Sequence, residues 1–293
     1  MDIRLLRYFE SIVRHRNITK AAEELQISQP SLSIQMKALE QELGCKLIDR
    51  SARDVLLTEP GEVLYTHTLQ ILQQISNAYK EIDDIKEDGL GEIRIGSIST
   101  CTPWLFNLFL GFKKKYPMQQ INIKEMHGAH IEKALLSYDI HIGLTSTTRP
   151  SNLLSFEPIY CEELVLITSI EHRFKDLDEI DFKHLADEPL ISNPSSYALQ
   201  KQILFFCNQA GFTPKFAFEI DGRSIPRFVS AGLGIAIVPR SSLTIFSQDG
   251  FIFKVITLKN PSPSRIIYLA THQNRYFSEK IDEFRSQIVR VFK

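Results

Sequence analysis

The sequence predicts an α/β protein that begins with an all-α helix-turn-helix unit and a small wing. Three observations predict this fold class. Three short amphipathic helical patterns and two short apolar runs occupy residues 1–58. Apolar residues then recur at alternating spacings of four and three between residues 64 and 85, which predicts one long helix. From residue 91, strand and helix patterns alternate to the end of the chain, which is typical of an α/β region.

The first unit is predicted from its apolar stripes. Leu5, Leu6 and Phe9 mark a first helix, and a second helix is expected to begin with Thr19 as its N-cap. The third helix is expected to end at Gly44, because glycine readily takes the left-handed conformation that stops a helix. Its predicted buried face consists of Leu32, Met36, Leu39 and Leu43. The second and third helices form a helix-turn-helix, and Ile34 lies on the polar side of the third.

The segment "KLIDRSARDVLLT" places two apolar runs around a polar tip and predicts a hairpin, the wing. Thr58 is expected to cap the long helix that follows. The stripe of this helix has the a/d spacing of a two-stranded coiled coil and consists of Leu64, Thr68, Ile71, Ile75, Ala78, Ile82 and Ile85. Dimerisation explains so long a helix better than the alternative, packing of the stripe on its own domain.

The α/β region starts after Gly89 and Gly91. Strand patterns such as "IRIGSI", "INIKEM" and "DIHIGLT" alternate with helical patterns, which favours a largely parallel sheet. A second round follows, with "LVLITS", "KFAFEI" and "GIAIVP" among its strands. The last elements are "IIYLATH" and a helix from Ser278.

Composition excludes several classes of protein. With 293 residues, the chain is expected to form two or more units. The net charge of −1 gives no general attraction to nucleic acid, and residues 1–58 hold nine Lys/Arg against eight Asp/Glu. The four cysteines show no paired spacing, and no apolar run is long enough to span a membrane, so we expect a cytoplasmic protein.

Enzymatic motifs are missing from the sequence. It contains no GxGxxG, phosphate loop, HExxH or GxSxG, so we expect neither an enzyme nor a cofactor. A metal site at His127 and His130, with Cys101 nearby, is a minor alternative that lacks further ligands at suitable spacing. Oxidant sensing by Cys101 or Cys207 is a second minor alternative, but buried or semi-buried structural thiols are the preferred interpretation.

The segment "ITKAAEELQISQPSLSIQMKALEQELGCKLIDRSARDVLLTEPGE" resembles the LysR-type transcriptional regulators, and "GEIRIG" and "AGLGIAIVP" agree with that resemblance. The resemblance covers the whole chain. It implies a winged helix-turn-helix DNA-binding domain at 1–58, a dimerising linker helix at 59–90 and an effector-binding domain at 91–293. That domain would resemble periplasmic binding proteins, with subdomain I at about 91–160 and 266–293 and subdomain II at about 161–265.

The predicted DNA-binding residues lie around the third helix, which a helix-turn-helix presents to the major groove. They are Thr19, Lys20, Gln29, Pro30, Ser31, Ser33, Ile34 and Lys37, with Arg50 and Arg53 in the wing. Family members often carry arginine where this chain has Ile34, and an exposed isoleucine suits a thymine methyl group instead. The resemblance implies that the partner is double-stranded promoter DNA, bound by a homodimer or homotetramer, with RNA polymerase as a further candidate partner.

The predicted effector-binding residues stand where strands end and helices begin, because such crevices collect free backbone N–H groups. They are Ser99, Thr100, Thr102, His127, Ser195, Ser196 and Arg223. Capping of the adjacent helices is the equally weighted alternative for each hydroxyl. The donors favour a small organic anion as the effector. A solute-binding or enzymatic α/β protein with an unrelated dimerisation module is the competing hypothesis for the whole chain.

Overall fold

The computed structural model describes residues 1–49, 55–86, 92–149 and 151–292. The chain divides into two compact units, Met1–Asp83 and Asp84–Lys293. The boundary falls inside the long helix, so the last residues of that helix belong to the second unit.

Side-chain caps fix the starts of the helices α1 (Ile3–His15), α2 (Ile18–Glu24) and α3 (Gln29–Leu43). Asn17 accepts a hydrogen bond from the backbone N–H of Lys20 at 3.0 Å and caps α2. The prediction that Thr19 is this cap was wrong. Asn17 has the extended backbone that an N-cap requires (φ −156°, ψ 122°), whereas Thr19 already lies inside the helix. Ser28 caps α3 in the same way.

The core of the first unit confirms most of the predicted apolar face of α3. Leu32, Met36 and Leu39 are fully buried, but Leu43 is 40% exposed, which corrects the prediction. Gly44 ends the helix in the left-handed conformation, as expected, at φ 68°. This turn leads the chain back to Leu47, whose backbone N–H meets the side chain of Glu40, so Leu43 is left at the solvent edge.

The predicted wing hairpin is present, with β1 (Ile48–Asp49) antiparallel to β2 (Leu56–Leu57). Its predicted tip residues Arg50 and Arg53 lie outside the described residues. Thr58 caps α4 (Glu59–Lys86) as expected, because its hydroxyl oxygen accepts from the N–H of Gly61 at 3.2 Å. Gly61 has no room for a side chain, since a Cβ there would lie 2.1 Å from the carbonyl oxygen of Leu47.

Much of the predicted a/d stripe of α4 faces solvent in the single chain. Ile71, Ile82 and Ile85 are 37%, 47% and 54% exposed. Leaving three isoleucines at a helix surface costs apolar burial, and a second copy of the chain can restore it. Thr68, in the same stripe, is fully buried.

The second unit is an α/β fold around one main sheet. Its strands are β3 (Ile93–Ser97), β4 (Ile121–Glu125), β5 (Ile142–Thr145), β6 (Leu154–Thr168), β7 (Glu179–Asp181), β8 (Pro189–Ser192), β9 (Lys215–Glu219), β10 (Ala236–Pro239), β11 (Lys254–Lys259) and β12 (Ser264–His272). Its α-helices are α5 (Leu105–Lys115), α6 (Gly128–Leu136), α7 (Ala198–Gln209), α8 (Ile225–Ser230), α9 (Ser242–Gln248) and α10 (Glu279–Phe292).

The strand order of the main sheet is β4-β3-β5-β12-β6-β11-β7, with β10 also paired to β6 and β8 paired to β9 separately. Strand β3 pairs in parallel with β4 and with β5. In contrast, β12 pairs antiparallel with β5 and β6, and β6 pairs antiparallel with β10 and β11. The expectation of a largely parallel sheet was therefore wrong. The two long strands, β6 and β12, cross the unit in opposite directions, and each pairs antiparallel on both of its sides.

Four clusters of buried side chains, two on each side, divide the described part of the second unit into two lobes. The first lobe contains β3, β4, β5, α5, α6 and α10, and Leu105 and Phe284 are fully buried in its core. The second lobe contains β7 to β11 and α7 to α9, with Phe182 in its core. Strand β6 serves both, because Ile159 packs in the first core and Leu166 in the second. The crevice between the lobes is referred to below as the cleft.

Candidate DNA-binding helix and ligand cleft

The outward face of helix α3 carries an exposed apolar residue, which is unusual. Ile34 is 64% exposed, while Leu32 and Met36 on the same helix are fully buried. The predicted DNA-binding residues Thr19, Lys20, Gln29, Pro30, Ser31 and Lys37 are exposed as well, and Ser33 is half-buried. The first unit therefore places all of the described predicted DNA-contact residues at solvent.

Two polar residues on this face are coupled to each other. The side-chain N–H of Gln29 donates to the hydroxyl oxygen of Ser33 at 3.0 Å. This bond leaves the amide oxygen of Gln29 as an acceptor and the hydroxyl hydrogen of Ser33 as a donor. A fixed pair of acceptor and donor is what a base edge in the major groove requires, and Ile34 adds an apolar surface next to it.

In the second unit, the ends of three parallel-paired strands form one wall of the cleft. Ser99 and Thr100 follow β3, His127 follows β4, and Ser146 follows β5. Because β3 pairs in parallel with both β4 and β5, these loops lie at the same edge of the sheet.

The second lobe supplies the facing wall, and two contacts join it to the first. Glu125, at the end of β4, accepts from the guanidinium of Arg223 at 2.8 Å. The ring of His127 meets the ring of Tyr197 edge-on, with centroids 4.3 Å apart. The predicted site residues His127 and Arg223 thus both reach the opposite lobe, although Arg223 already has a carboxylate partner.

A cavity of about 450 Å³ opens beside the loop after β5, and its lining residues include none of the seven predicted effector-binding residues. It is lined by Ser146, Thr147, Thr148, Ala198, Lys201, Gln202, Phe205, Phe206, Ser264, Arg265, Ile266 and Tyr268. The amide N–H of Gln202 donates to the backbone oxygen of Ser146 at 3.4 Å, while its amide oxygen is buried without a partner. This volume is within the usual range of small-molecule sites, which is about 300–1,000 Å³.

Arg265 connects this cavity to a predicted site residue. Its guanidinium donates to the hydroxyl oxygen of Thr100 at 2.7 Å and to the carboxylate of Glu162 at 2.7 Å. Both charged side chains are almost fully buried. Glu162 also accepts from the backbone N–H and the hydroxyl of Ser241 at the start of α9. The network therefore runs from the second lobe through two crossing strands to Thr100.

Sequence reasoning missed Arg265, Glu162 and Gln202. Arg265 is the residue with the clearest sequence signal, because it occupies an inward position in the alternating strand "SRIIYLATH" beside the buried Ile267 and Leu269. A charged residue at such a position requires a buried partner. The partner, Glu162, is far away in the sequence and could not be identified by spacing.

The hydroxyl groups at the cleft do not cap the helices beside them. The N-cap positions of α5 and α7 are Trp104 and Tyr197, and neither makes a side-chain cap hydrogen bond. The hydroxyl oxygen of Thr102 is buried and has no hydrogen-bond partner. Ser195 and Ser196 are exposed just before α7. The capping alternative therefore does not account for these residues.

Cys101 and Cys207 are fully buried, and burial raises the pKa of each thiol to about 12. This agrees with the preferred reading of structural thiols. In the described part of the chain, no group of three or more His, Cys, Asp or Glu side chains is arranged to hold a metal ion. Among the described helices, none combines the length and hydropathy required to cross a membrane.

Known protein families match both the N-terminal and the C-terminal part of the chain. Residues 3–62 match the family model "Bacterial regulatory helix-turn-helix protein, lysR family", and residues 86–293 match "LysR substrate binding domain". The chain is 30% identical over 253 residues to the HTH-type transcriptional regulator AlsR of Bacillus subtilis, covering 85% of this chain and 84% of AlsR.

Solved structures show the same fold. Full-length BenM is 26% identical with a TM-score of 0.61, covering 100% of this chain and 97% of BenM. Full-length CbnR in complex with its target DNA is 22% identical with a TM-score of 0.59 and covers 100% of both chains.

Proposed function

The chain belongs to the lysR family of bacterial DNA-binding transcriptional regulators with an effector-binding domain, and on this premise we propose its mode of action. It binds a pseudo-palindromic promoter site as a homodimer or homotetramer in the cytoplasm and responds to a small organic anion held in the cleft. RNA polymerase is the proposed partner of the bound complex. The domains would be 1–58 for DNA binding, 59–90 for dimerisation and 91–293 for the effector.

The outward face of α3 supports sequence reading in the major groove. The coupled pair of Gln29 and Ser33 offers an acceptor and a donor at fixed spacing. Glutamine pairs best with adenine, and the exposed Ile34 suits the methyl group of a thymine. We therefore propose that α3 prefers A·T pairs at its contact positions, with Lys37 on a phosphate.

Binding as an oligomer is supported by the exposed isoleucines of α4. A two-fold pair of chains would cover Ile71, Ile82 and Ile85 and would place two copies of α3 on one duplex. Two symmetric half-sites one helical turn apart, about 34–36 Å, follow from that arrangement.

The single observation that supports an anionic effector best is the uncommitted hydroxyl group of Thr102. Its oxygen is buried without a partner at the start of the helical segment that leads into α5. Thr100 and Ser196 add hydroxyls at two helix starts, and Lys201 adds a positive charge at the cavity. Helix starts and hydroxyl donors stabilise a carboxylate, and the apolar wall of Phe205 suits its carbon body.

Arg223 and Arg265 are both paired with carboxylates of the protein, which limits their contribution to the binding of an anionic effector. Arg223 binds Glu125 and Arg265 binds Glu162. The Arg223 pair is largely exposed, so its net stabilisation is small, about 0–1 kcal/mol, and an organic anion can replace Glu125 there. The Arg265 pair is buried and is expected to persist, because separating such a pair leaves an uncompensated charge.

A thermal-shift panel on the full chain tests the anionic effector. Each carboxylate is paired with its neutral amide, for example benzoate with benzamide and succinate with succinamide. We expect carboxylates to raise the melting temperature more than their amides, and Thr100→Val and Ser196→Ala to abolish the difference. Thr213→Val is the matched control, because Thr213 is exposed at the other end of α7. Stabilisation by amides alone, or carboxylate binding unchanged in both cleft variants, contradicts the proposal.

A further inference from the structure

Two arginines and one histidine contact Asp84, in the last turn of α4. The carboxylate of Asp84 accepts from the guanidinium of Arg94 at 3.0 Å, from the imidazole of His141 at 3.0 Å and from the guanidinium of Arg275 at 2.7 Å. Its side chain is only 11% exposed. These residues all belong to the second unit, and the cluster is called the Asp84 anchor below.

The three partners of Asp84 are held in place independently of it. The Arg275 side chain is fully buried, and its guanidinium donates to the carbonyl oxygens of Tyr138 at 3.1 Å and Ile140 at 2.6 Å. The backbone N–H of Arg94 donates to Nδ1 of His141 at 3.0 Å. His141 therefore presents its Nε2–H to Asp84, so the anchor is a prepared receptor for one carboxylate.

The charge of the anchor requires that Asp84 be ionised. Burial opposes ionisation, but hydrogen bonds from His141 and Arg275 hold the pKa of Asp84 well below its usual range. Burial lowers the pKa of His141 to about 4, so its ring is neutral near pH 7. Without the carboxylate, the guanidinium groups of Arg94 and Arg275 would lose their shared anionic partner.

The anchor lies at one end of the strands whose other ends line the cleft. Arg94 is the second residue of β3, and Thr100 follows that strand. His141 directly precedes β5, and Ser146 directly follows it. Arg275 follows the end of β12, and Arg265, on the cavity wall, is near its start. Because β12 is antiparallel to β5, all three anchor residues are at the same edge of the sheet.

These strands are short and hydrogen-bonded to each other. Strand β3 has five residues and β5 has four, so about 13–17 Å separate their two ends. Packed strands shift together rather than bend separately, because protein interiors are close-packed and transmit strain. A ligand that displaces the cleft ends of β3, β5 and β12 would therefore displace the receptor for Asp84.

We propose that Asp84 is the positioning residue that couples the cleft to the last turn of α4. The inference rests on the proposed function, in which the cleft holds the effector. Occupation of the cleft moves the anchor residues together, and the last turn of α4 follows through the carboxylate of Asp84. Coupling through the anchor is reciprocal, so loss of Asp84 loosens the cleft loops at the far ends of the strands.

Hydrogen–deuterium exchange on the full chain, without DNA or effector, tests this coupling. The variants are Asp84→Asn, which keeps the shape of the side chain, and Arg94→Gln, which leaves Asp84 with two of its partners. The control is Asp178→Asn, because Asp178 is an exposed carboxylate with one bond to Lys254 at 2.8 Å. We expect exchange in residues 98–101 and 145–148 to accelerate about tenfold in Asp84→Asn and less in Arg94→Gln.

The pattern of exchange decides the outcome. Acceleration confined to residues 80–95 and 138–142 would show that Asp84 stabilises only its own surroundings and is not coupled to the cleft loops. That result would overturn the proposal. Equal acceleration in the Asp178→Asn control, or throughout the second unit, would show general destabilisation and would overturn it as well. If Asp84→Asn does not fold, the Arg94→Gln result decides alone. Because neither DNA nor an effector is present, this outcome is independent of the tests of the proposed function.

Discussion

Glu40 is expected to hold the wing against α3, and its replacement is expected to destabilise the first unit. One carboxylate oxygen accepts from the backbone N–H groups of Leu47 at 3.0 Å and Ile48 at 3.4 Å, and the other accepts from Lys46 at 3.1 Å. The Glu40 side chain is 4% exposed, so water cannot replace it. Glu40→Ala leaves two buried N–H groups without an acceptor, at about 1–3 kcal/mol each, so we expect a loss of roughly 2–6 kcal/mol. Glu40→Gln keeps one acceptor and should cost about 1 kcal/mol.

The free energy of unfolding should also depend on pH through Glu40. Burial opposes its ionisation, but the N–H groups of Leu47 and Ile48 and the Lys46 ammonium keep the pKa of Glu40 below its usual value. A carboxyl with a lowered pKa in the folded state stabilises above its unfolded pKa of about 4.3, and that contribution disappears as the pH falls towards the folded value. The difference between Glu40→Ala and the wild type should therefore become smaller in acid, where Glu40 loses its charge but still accepts through its carbonyl oxygen.

Thiol labelling of Cys45 in increasing urea measures this effect locally. Cys45 is half-buried in the first unit and packs against its core, so its labelling rate, read by mass spectrometry, reports opening of that unit. Glu42→Gln is the matched control, because Glu42 is exposed two residues away and should change stability by less than about 0.5 kcal/mol. If Cys45 in Glu40→Ala became labelled at the same urea concentration as in the wild type, the predicted stabilisation by Glu40 would be refuted.

Three further outcomes follow from exposure and burial. Ile34→Ala should cost roughly 1 kcal/mol or less at the preferred site and relax discrimination at one A·T position; identical base preferences in a selection experiment would contradict a thymine contact. Ile82→Asp should turn the oligomer into a monomer, because an unpaired charge in an apolar seam costs several kcal/mol, and light scattering that shows an unchanged mass would place the stripe elsewhere. Native Cys161, which is exposed, should react with iodoacetamide at least about 100-fold faster than the buried Cys101 or Cys207; comparable rates by peptide mapping would show that the cores open readily.

Local signals in the sequence predicted the first unit well. Gly44 stops α3, Thr58 caps α4, and Leu32 and Met36 are buried, as their types and spacing indicated. Asn17 was overlooked in favour of Thr19, because both residues are good caps and only the backbone angles distinguish them. Ends of helices are where periodicity carries least information.

The cleft could be predicted only in part. Thr100 and His127 were predicted because they follow strands, and they stay predictions. Arg265 and Glu125 were not predicted, because their charged partners Glu162 and Arg223 are about a hundred residues away in the sequence. The patterns "LVLITS" and "IIYLATH" predicted parts of β6 and β12, but their antiparallel pairing was not predicted, since pairing between distant segments leaves no spacing in the sequence. The Asp84 anchor has the same origin, with three partners gathered by the sheet.

Fluorescence anisotropy of labelled duplexes tests the central claim most directly. The full chain is titrated, over a range of salt concentrations, into the DNA upstream of its own gene and into a scrambled duplex of equal length. Gln29→Ala is compared with the control Thr213→Val. We expect the upstream DNA to bind about 10³-fold or more tightly than the scrambled duplex, with Gln29→Ala losing about 1–3 kcal/mol of that preference and Thr213→Val losing none. Equal affinity for both duplexes, or a preference that survives in Gln29→Ala, would contradict the assignment of α3 as the reading helix.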